Sequence, residues 1–150
     1  MQTTINKFEA LLNNFQVLYS INSVIDFDVK PSKNKWSKKE ILGHLIDSAI
    51  NNIIRFTEIQ TFEKPYEIRT YNQDELVKSN HYQNKNSDEL IELWTNLNLH
   101  ILHIVKNQTK ETLAYQLILP NGKQTDLQFL IQDYFDHLYY HLNQINPKWI

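Results

Sequence analysis

Apolar residues recur along this chain with a helical period. Ile5, Phe8, Leu12, Phe15 and Tyr19 are spaced 3, 4, 3 and 4 apart, which predicts a first helix from Thr4 to about Tyr19 with one core-facing seam. Ile21 to Lys35 is less regular, and Pro31, Ser32 and Asn34 mark a connection. Ser37 and Glu40 then form a capping-box pattern, with Trp36 and Ile41 at the positions of a hydrophobic staple. A second helix is expected from Lys38 to about Gln60, with Leu42, Leu45, Ile46, Ala49, Ile53 and Phe56 facing the core. Ser87, Asp88 and Glu89 open a third helix, with Ser87 as N-cap and Leu90, Leu93, Trp94, Leu97, Ile101 and Ile104 as its core face. Thr125 to Gln128 reads as another capping box, starting a fourth helix that ends near Asn146, before Pro147. Its core face is Leu127, Leu130, Ile131, Tyr134, Leu138, Leu142 and Ile145.

The connections differ in length. Phe62 to Asn86 is long enough to cross over between neighbouring helices, with room for a short helix around Asp74 to Asn80. Tyr115 to Asn121 is a short extended segment followed by the turn signal Asn121-Gly122. The pattern as a whole predicts an all-α four-helix bundle with a long crossover between its second and third helices, residues 1–150 forming a single domain.

Composition narrows the function classes. Two glycines and four prolines in 150 residues suit long helices better than a turn-rich β fold. With 41% apolar and 21% charged residues the chain reads as globular. The net charge of −2 and scattered basic residues argue against a nucleic-acid partner. No apolar run approaches a membrane span and the N-terminus lacks a signal-peptide core, so the expectation is a cytoplasmic protein with no membrane partner. With no cysteine there is no disulfide, thiolate ligand or cysteine nucleophile.

Histidine is what remains. His137 and His141 stand four apart on the fourth helix, about 40° from each other on one face, at the edge of its apolar stripe. On the second helix His44 belongs to a polar group with Asp47, Ser48, Asn51, Arg55 and Glu58. That stripe is either the wet face of an amphipathic helix or the lining of a cleft, and angular position does not separate the two. His44, His137 and His141 could supply three neutral nitrogens, the open arrangement of a catalytic metal site, suited to Zn, Ni, Cu or Fe. His100 and His103, three apart on the third helix, compete for the role, His100 as a boundary residue and His103 as an exposed one. Asp133 and Asp47 are candidates to hold the outer nitrogens of His137 and His44. Arg55, about 16 Å along the helix axis from His44, could grip a substrate carboxylate or phosphate, or simply pair with Glu58. The bland alternative is a non-catalytic binding or interaction bundle with boundary histidines. On either reading Trp149, taken as an exposed aromatic, is a candidate for a homodimer interface, and chance exposure explains it as well.

Two stretches carry a family resemblance. Trp36-Ser37-Lys38-Lys39-Glu40-Ile41-Leu42-Gly43-His44-Leu45-Ile46-Asp47-Ser48, followed by Asn51-Asn52-Ile53-Ile54-Arg55, resembles the second-helix signature of the DinB-like (DinB/YfiT) family of metalloenzymes. His137-Leu138-Tyr139-Tyr140-His141-Leu142-Asn143-Gln144-Ile145 is similar to that family's closing H-x-x-x-H-x-x-Q-I, and Tyr71-Asn72-Gln73-Asp74 also fits. The resemblance implies a four-helix bundle with a crossover and a divalent metal, Zn or Ni, on His44, His137 and His141. It further implies a small-molecule substrate, with Asp47 and Arg55 as candidates for a catalytic part. Family reactions include S-transfer dependent on a low-molecular-weight thiol such as bacillithiol or mycothiol, mycothiol-dependent isomerisation of maleylpyruvate, and metal-dependent hydrolysis. No residue here separates those branches.

Overall fold

A computed structural model describes Met1–Ile150. Four long helices dominate: α1 (Gln2–Ile21), α2 (Lys38–Thr61), α4 (Ser87–Lys106) and α6 (Leu127–Ile145). Between them lie two short helices, α3 (Gln73–Ser79) and α5 (Lys110–Leu113), and three short strands, β1 (Tyr66–Glu67), β2 (Gln116–Ile118) and β3 (Gln124–Asp126). The architecture is the expected four-helix bundle, with Phe62 to Asn86 as the crossover between α2 and α4. No helix is long and apolar enough to cross a membrane.

The small sheet is an addition to that picture. β2 and β3 pair antiparallel around the Asn121-Gly122 turn, where Gly122 takes a φ of +81° that a side chain would resist. β1, inside the crossover, adds parallel to β2. The sheet thereby ties the crossover to the segment that leads into α6.

One hydrophobic cluster of 30 buried residues draws on all four long helices. Aromatic contacts fix its middle: Phe8 meets Phe135 at 4.7 Å between ring centroids, and Phe15 meets Trp94 at 4.5 Å. The seams expected on α1 and α6 are the buried ones, with Tyr19 half-buried. That on α4 is rotated. Leu93 is 42% exposed, while Ile91, Thr95, Asn98, Leu102 and Val105 are buried. Asn98 lies on that buried face. It breaks the apolar pattern, yet it is satisfied in the core by donating to the Trp94 carbonyl at 2.8 Å and accepting from the Tyr134 hydroxyl at 2.6 Å.

Two caps also shift by a residue. Asn86, not Ser87, caps α4, its side chain accepting from the N–H groups of Asp88 and Glu89. Asp126, not Thr125, caps α6 by accepting from Phe129 N–H at 2.9 Å. The Ser37–Glu40 capping box on α2 is present with both bonds.

Trp149 is not exposed. It folds back against Phe15 and Tyr19 and donates from its indole N–H to the Asn22 carbonyl, at 1% exposure. The indole therefore closes the bundle's end, and the expected interface role loses its basis.

The α2 helix is unlike a surface helix. Every residue from Leu42 to Ala49 is buried, polar ones included. The polar stripe is thus no wet face in this half; the crossover and α6 cover it. Closest approach occurs at Gly43, where an added Cβ would overlap the Tyr82 ring. Gly43→Ala should therefore destabilise the fold by about 1–3 kcal/mol through overpacking, despite alanine's better helix propensity. Urea unfolding of the two proteins, compared at equal slope, checks this.

Candidate metal centre

The site begins with the capping box on α2. It fixes where the helix starts and so places His44 two turns in, pointing at α6. There His44, His137 and His141 each offer a ring nitrogen, all within 4.8 Å of one another. His44 Nε2 stands 3.0 Å from His137 Nε2, and the three ring centroids are 4.6 to 5.0 Å apart. Two imidazole nitrogens bound to one ion at about 2.0–2.1 Å stand roughly 3.3 Å apart when the angle is tetrahedral, so the 3.0 Å between His44 and His137 is close to that of a shared cation, and His141 lies within reach by a small side-chain adjustment. His100 and His103 take no part. Both are exposed, and they stack on each other at 6.4 Å on the surface of α4.

Electrostatics favour the neutral, ligand-ready form. Burial pushes His44 down to about 4, helped by the neighbouring His137 and then His141. His137 falls to about 4 for the same reason, with His141 adding to it. Burial also lowers His141, partly offset by a hydrogen bond with Gln144. At neutral pH all three are uncharged, and each keeps one ring nitrogen able to donate a lone pair, as metal binding requires.

The surroundings differ from the expected outer shell. Asp47 does not hold His44. Its Oδ1 accepts from the Tyr82 hydroxyl at 2.6 Å and the Asn80 amide at 2.8 Å, both from the crossover. Two donors on the crossover side turn that carboxylate away from the ring one turn below it. His44 Nδ1 and Asp47 Oδ2 are both buried without a hydrogen-bond partner. Nor does Asp133 bond His137; it is exposed and borders a small cavity with Arg55 and His137. Arg55 forms no ion pair with Glu58, whose carboxylate accepts from the Tyr66 hydroxyl instead. The structure thus brings the three histidines together and leaves Asp47 and Arg55 in separate roles.

Two residues were missed as participants. Trp36, placed by the sequence as half of a staple, lays its ring 5.0 Å from that of His44 and shields it. Gln144 sets its amide oxygen 2.8 Å from His141 Nδ1, and an N–H there leaves Nε2 free for a ligand. The signal for Gln144 was in the sequence, one turn after His141 on the same helix face.

A four-helix bundle with three converging neutral imidazoles, two of them half-exposed, defines a protein built to offer an open nitrogen site. The chain belongs to the DinB superfamily, whose model matches residues 2–145. Among solved structures it is similar to YfiT from Bacillus subtilis, described as a probable metal-dependent hydrolase with an unusual four-helix bundle topology. That match has a TM-score of 0.79 at 19% identity and covers 96% of this chain and 85% of that one. It is also similar to the mycothiol-dependent maleylpyruvate isomerase, at a TM-score of 0.73 and 10% identity, over 97% of this chain but 60% of the isomerase. A histidine-to-alanine mutant of that isomerase matches equally, at a TM-score of 0.74. No curated protein matches the chain by sequence.

Two predictions come from this arrangement. His44 and His137 titrate near 4 in the folded chain against 6.5 when free, so between those values the unfolded chain binds more protons. Metal-free protein should therefore become more stable as pH rises from about 4 to about 6.5, with no further gain from these groups above that. Denaturation midpoints across the range check it, and His44→Gln should flatten the slope. Tyr82→Phe removes a donor from the buried Asp47 carboxylate and should cost about 1–3 kcal/mol of stability, measured by thermal or urea unfolding.

Proposed function

We propose that this protein is a divalent-metal-dependent enzyme acting on a small molecule, with His44, His137 and His141 holding a Zn or Ni ion. The observation that carries this reading is the meeting of three imidazole nitrogens, from α2 and α6, within 4.8 Å at a buried edge of the bundle. The likeness to a probable metal-dependent hydrolase and to a thiol-dependent isomerase supports it.

When bound, a divalent ion acidifies a coordinated water or thiol, which is the chemistry that hydrolysis and S-transfer share. The chain's own residues prepare the place. Three neutral ligands leave the ion's full charge available for that work. Burial of His44 and the Trp36 ring keep water from one side, while half-exposed His137 and His141 leave the other open. Gln144 fixes the orientation of His141. The Asp47–Tyr82–Asn80 bonds lock the crossover over α2, so that His44 keeps its rotamer. The proposed reaction class is hydrolysis, or transfer of a low-molecular-weight thiol such as bacillithiol, on a small substrate.

Purified without a histidine tag, the protein should carry about one Zn or Ni per chain by elemental analysis. His44→Ala and His137→Ala should each weaken metal affinity by more than about 100-fold, beyond the loss expected on removing an outer-shell partner. Stoichiometric metal surviving both substitutions would eliminate the site. A wild-type chain that takes up neither ion would leave a non-catalytic helical bundle. Ester and amide hydrolysis and thiol transfer, assayed with and without chelator, then separate the reaction classes.

A further inference from the structure

Beside His137 lies a cavity of about 120 Å³, with Ser48, Asn52, Arg55, Tyr71 and Asp133 around it and the Tyr134 ring as a wall. Moving C-terminally on α2, from His44 through Ser48 and Asn52 to Arg55, accompanies moving N-terminally on α6, from His137 to Asp133. The cavity therefore extends away from the three-histidine cluster along the groove between these helices. Helical side chains lean toward their helix's N-terminus, which aims Arg55 back toward His44.

Arg55 is half-buried and in no ion pair. One of its N–H groups donates to the Arg69 carbonyl at 3.0 Å, and its guanidinium faces the Tyr71 ring at 5.4 Å. A guanidinium has five donors, so most of its capacity is unspent. A half-buried cation bonded to no carboxylate, held in place by a carbonyl and an aromatic face, has donors to spare for an external anion. Asp133, also at the cavity, forms no ion pair with Arg55, though each carries its charge within reach of the other's field. The Asp133 charge disfavours a dianionic phosphate over a singly charged group.

We infer that Arg55 is the substrate-specificity residue of this site, taking the carboxylate of a small organic acid whose reacting end lies toward His137. The inference rests on the metal-dependent reading above for what happens at the reacting end, but the carboxylate contact stands on Arg55 alone.

The probes are 3-mercaptopropionate, its amide 3-mercaptopropionamide, and inorganic phosphate. Arg55 and Arg69 are the chain's arginines, so their side-chain Nε–H signals in nitrogen-15 NMR are readily assigned with Arg69→Lys. In both metal-free and zinc-loaded protein, the acid should shift the Arg55 signal saturably while the amide leaves it in place. In zinc-loaded protein the acid should bind at least tenfold more tightly than the amide. Arg55→Gln should bring that ratio near one, and Arg55→Lys should keep part of it. Equal shifts from acid and amide, an unchanged ratio in Arg55→Gln, or a larger Arg55 shift with phosphate than with the acid would overturn the inference. A chain that takes up no zinc defeats the metal reading alone, because the metal-free titration still reports on Arg55.

Discussion

The structure depends on burying one imidazole. His44 sits on a stretch of α2 with no solvent-facing side, and it meets His137 and His141 on α6 where water is scarce. A charged imidazole there would suffer both desolvation and repulsion from its neighbours, so the three rings stay neutral at physiological pH. Between the neutral rings, the 3.0 Å contact of His44 Nε2 with His137 Nε2 is a hydrogen bond whose donor is set by the tautomer. A cation sharing their nitrogens would take the place of that contact, so the geometry and the proposed chemistry have the same origin.

Keeping His44 in place requires covering α2 on its polar side. The crossover does this with Tyr82, which lies directly over Gly43 and reaches Asp47 with its hydroxyl. The sheet anchors the far end of the same crossover, β1 adding to β2 ahead of α6. The long connection is therefore part of the site's scaffold, not a passive link. It also delivers Tyr71 and the Arg69 carbonyl to Arg55, so one segment shapes both the ligand cluster and the cavity beside it.

Polar groups are built into the core beside the apolar ones. Tyr134 on α6 donates its hydroxyl to the Asn98 side chain on α4, a buried bond that accompanies the rotation of α4 about its axis. Asp47 takes its donors from the crossover, so no carboxylate reaches the outer nitrogen of His44. Each of these is a partner choice among residues distant in the chain, and the second leaves His44 Nδ1 and Asp47 Oδ2 buried without partners.

By itself the sequence determined the helices, because an apolar period of 3.6 and a capping box are local signals. It was enough for α1, for the start of α2, for the core stripe of α6 and for the four-helix bundle with its crossover. The i, i+4 pair His137 and His141 was equally legible, being fixed by helical geometry alone. Only the tertiary structure decided whether the polar stripe of α2 met water or protein, which way α4 turned, and that Trp149 folded inward. It alone brought His44 to the pair across 93 positions of sequence and set Trp36 against it. Periodicity says which residues share a face; what that face meets depends on contacts between elements far apart in the chain, for which a single sequence carries no local signal.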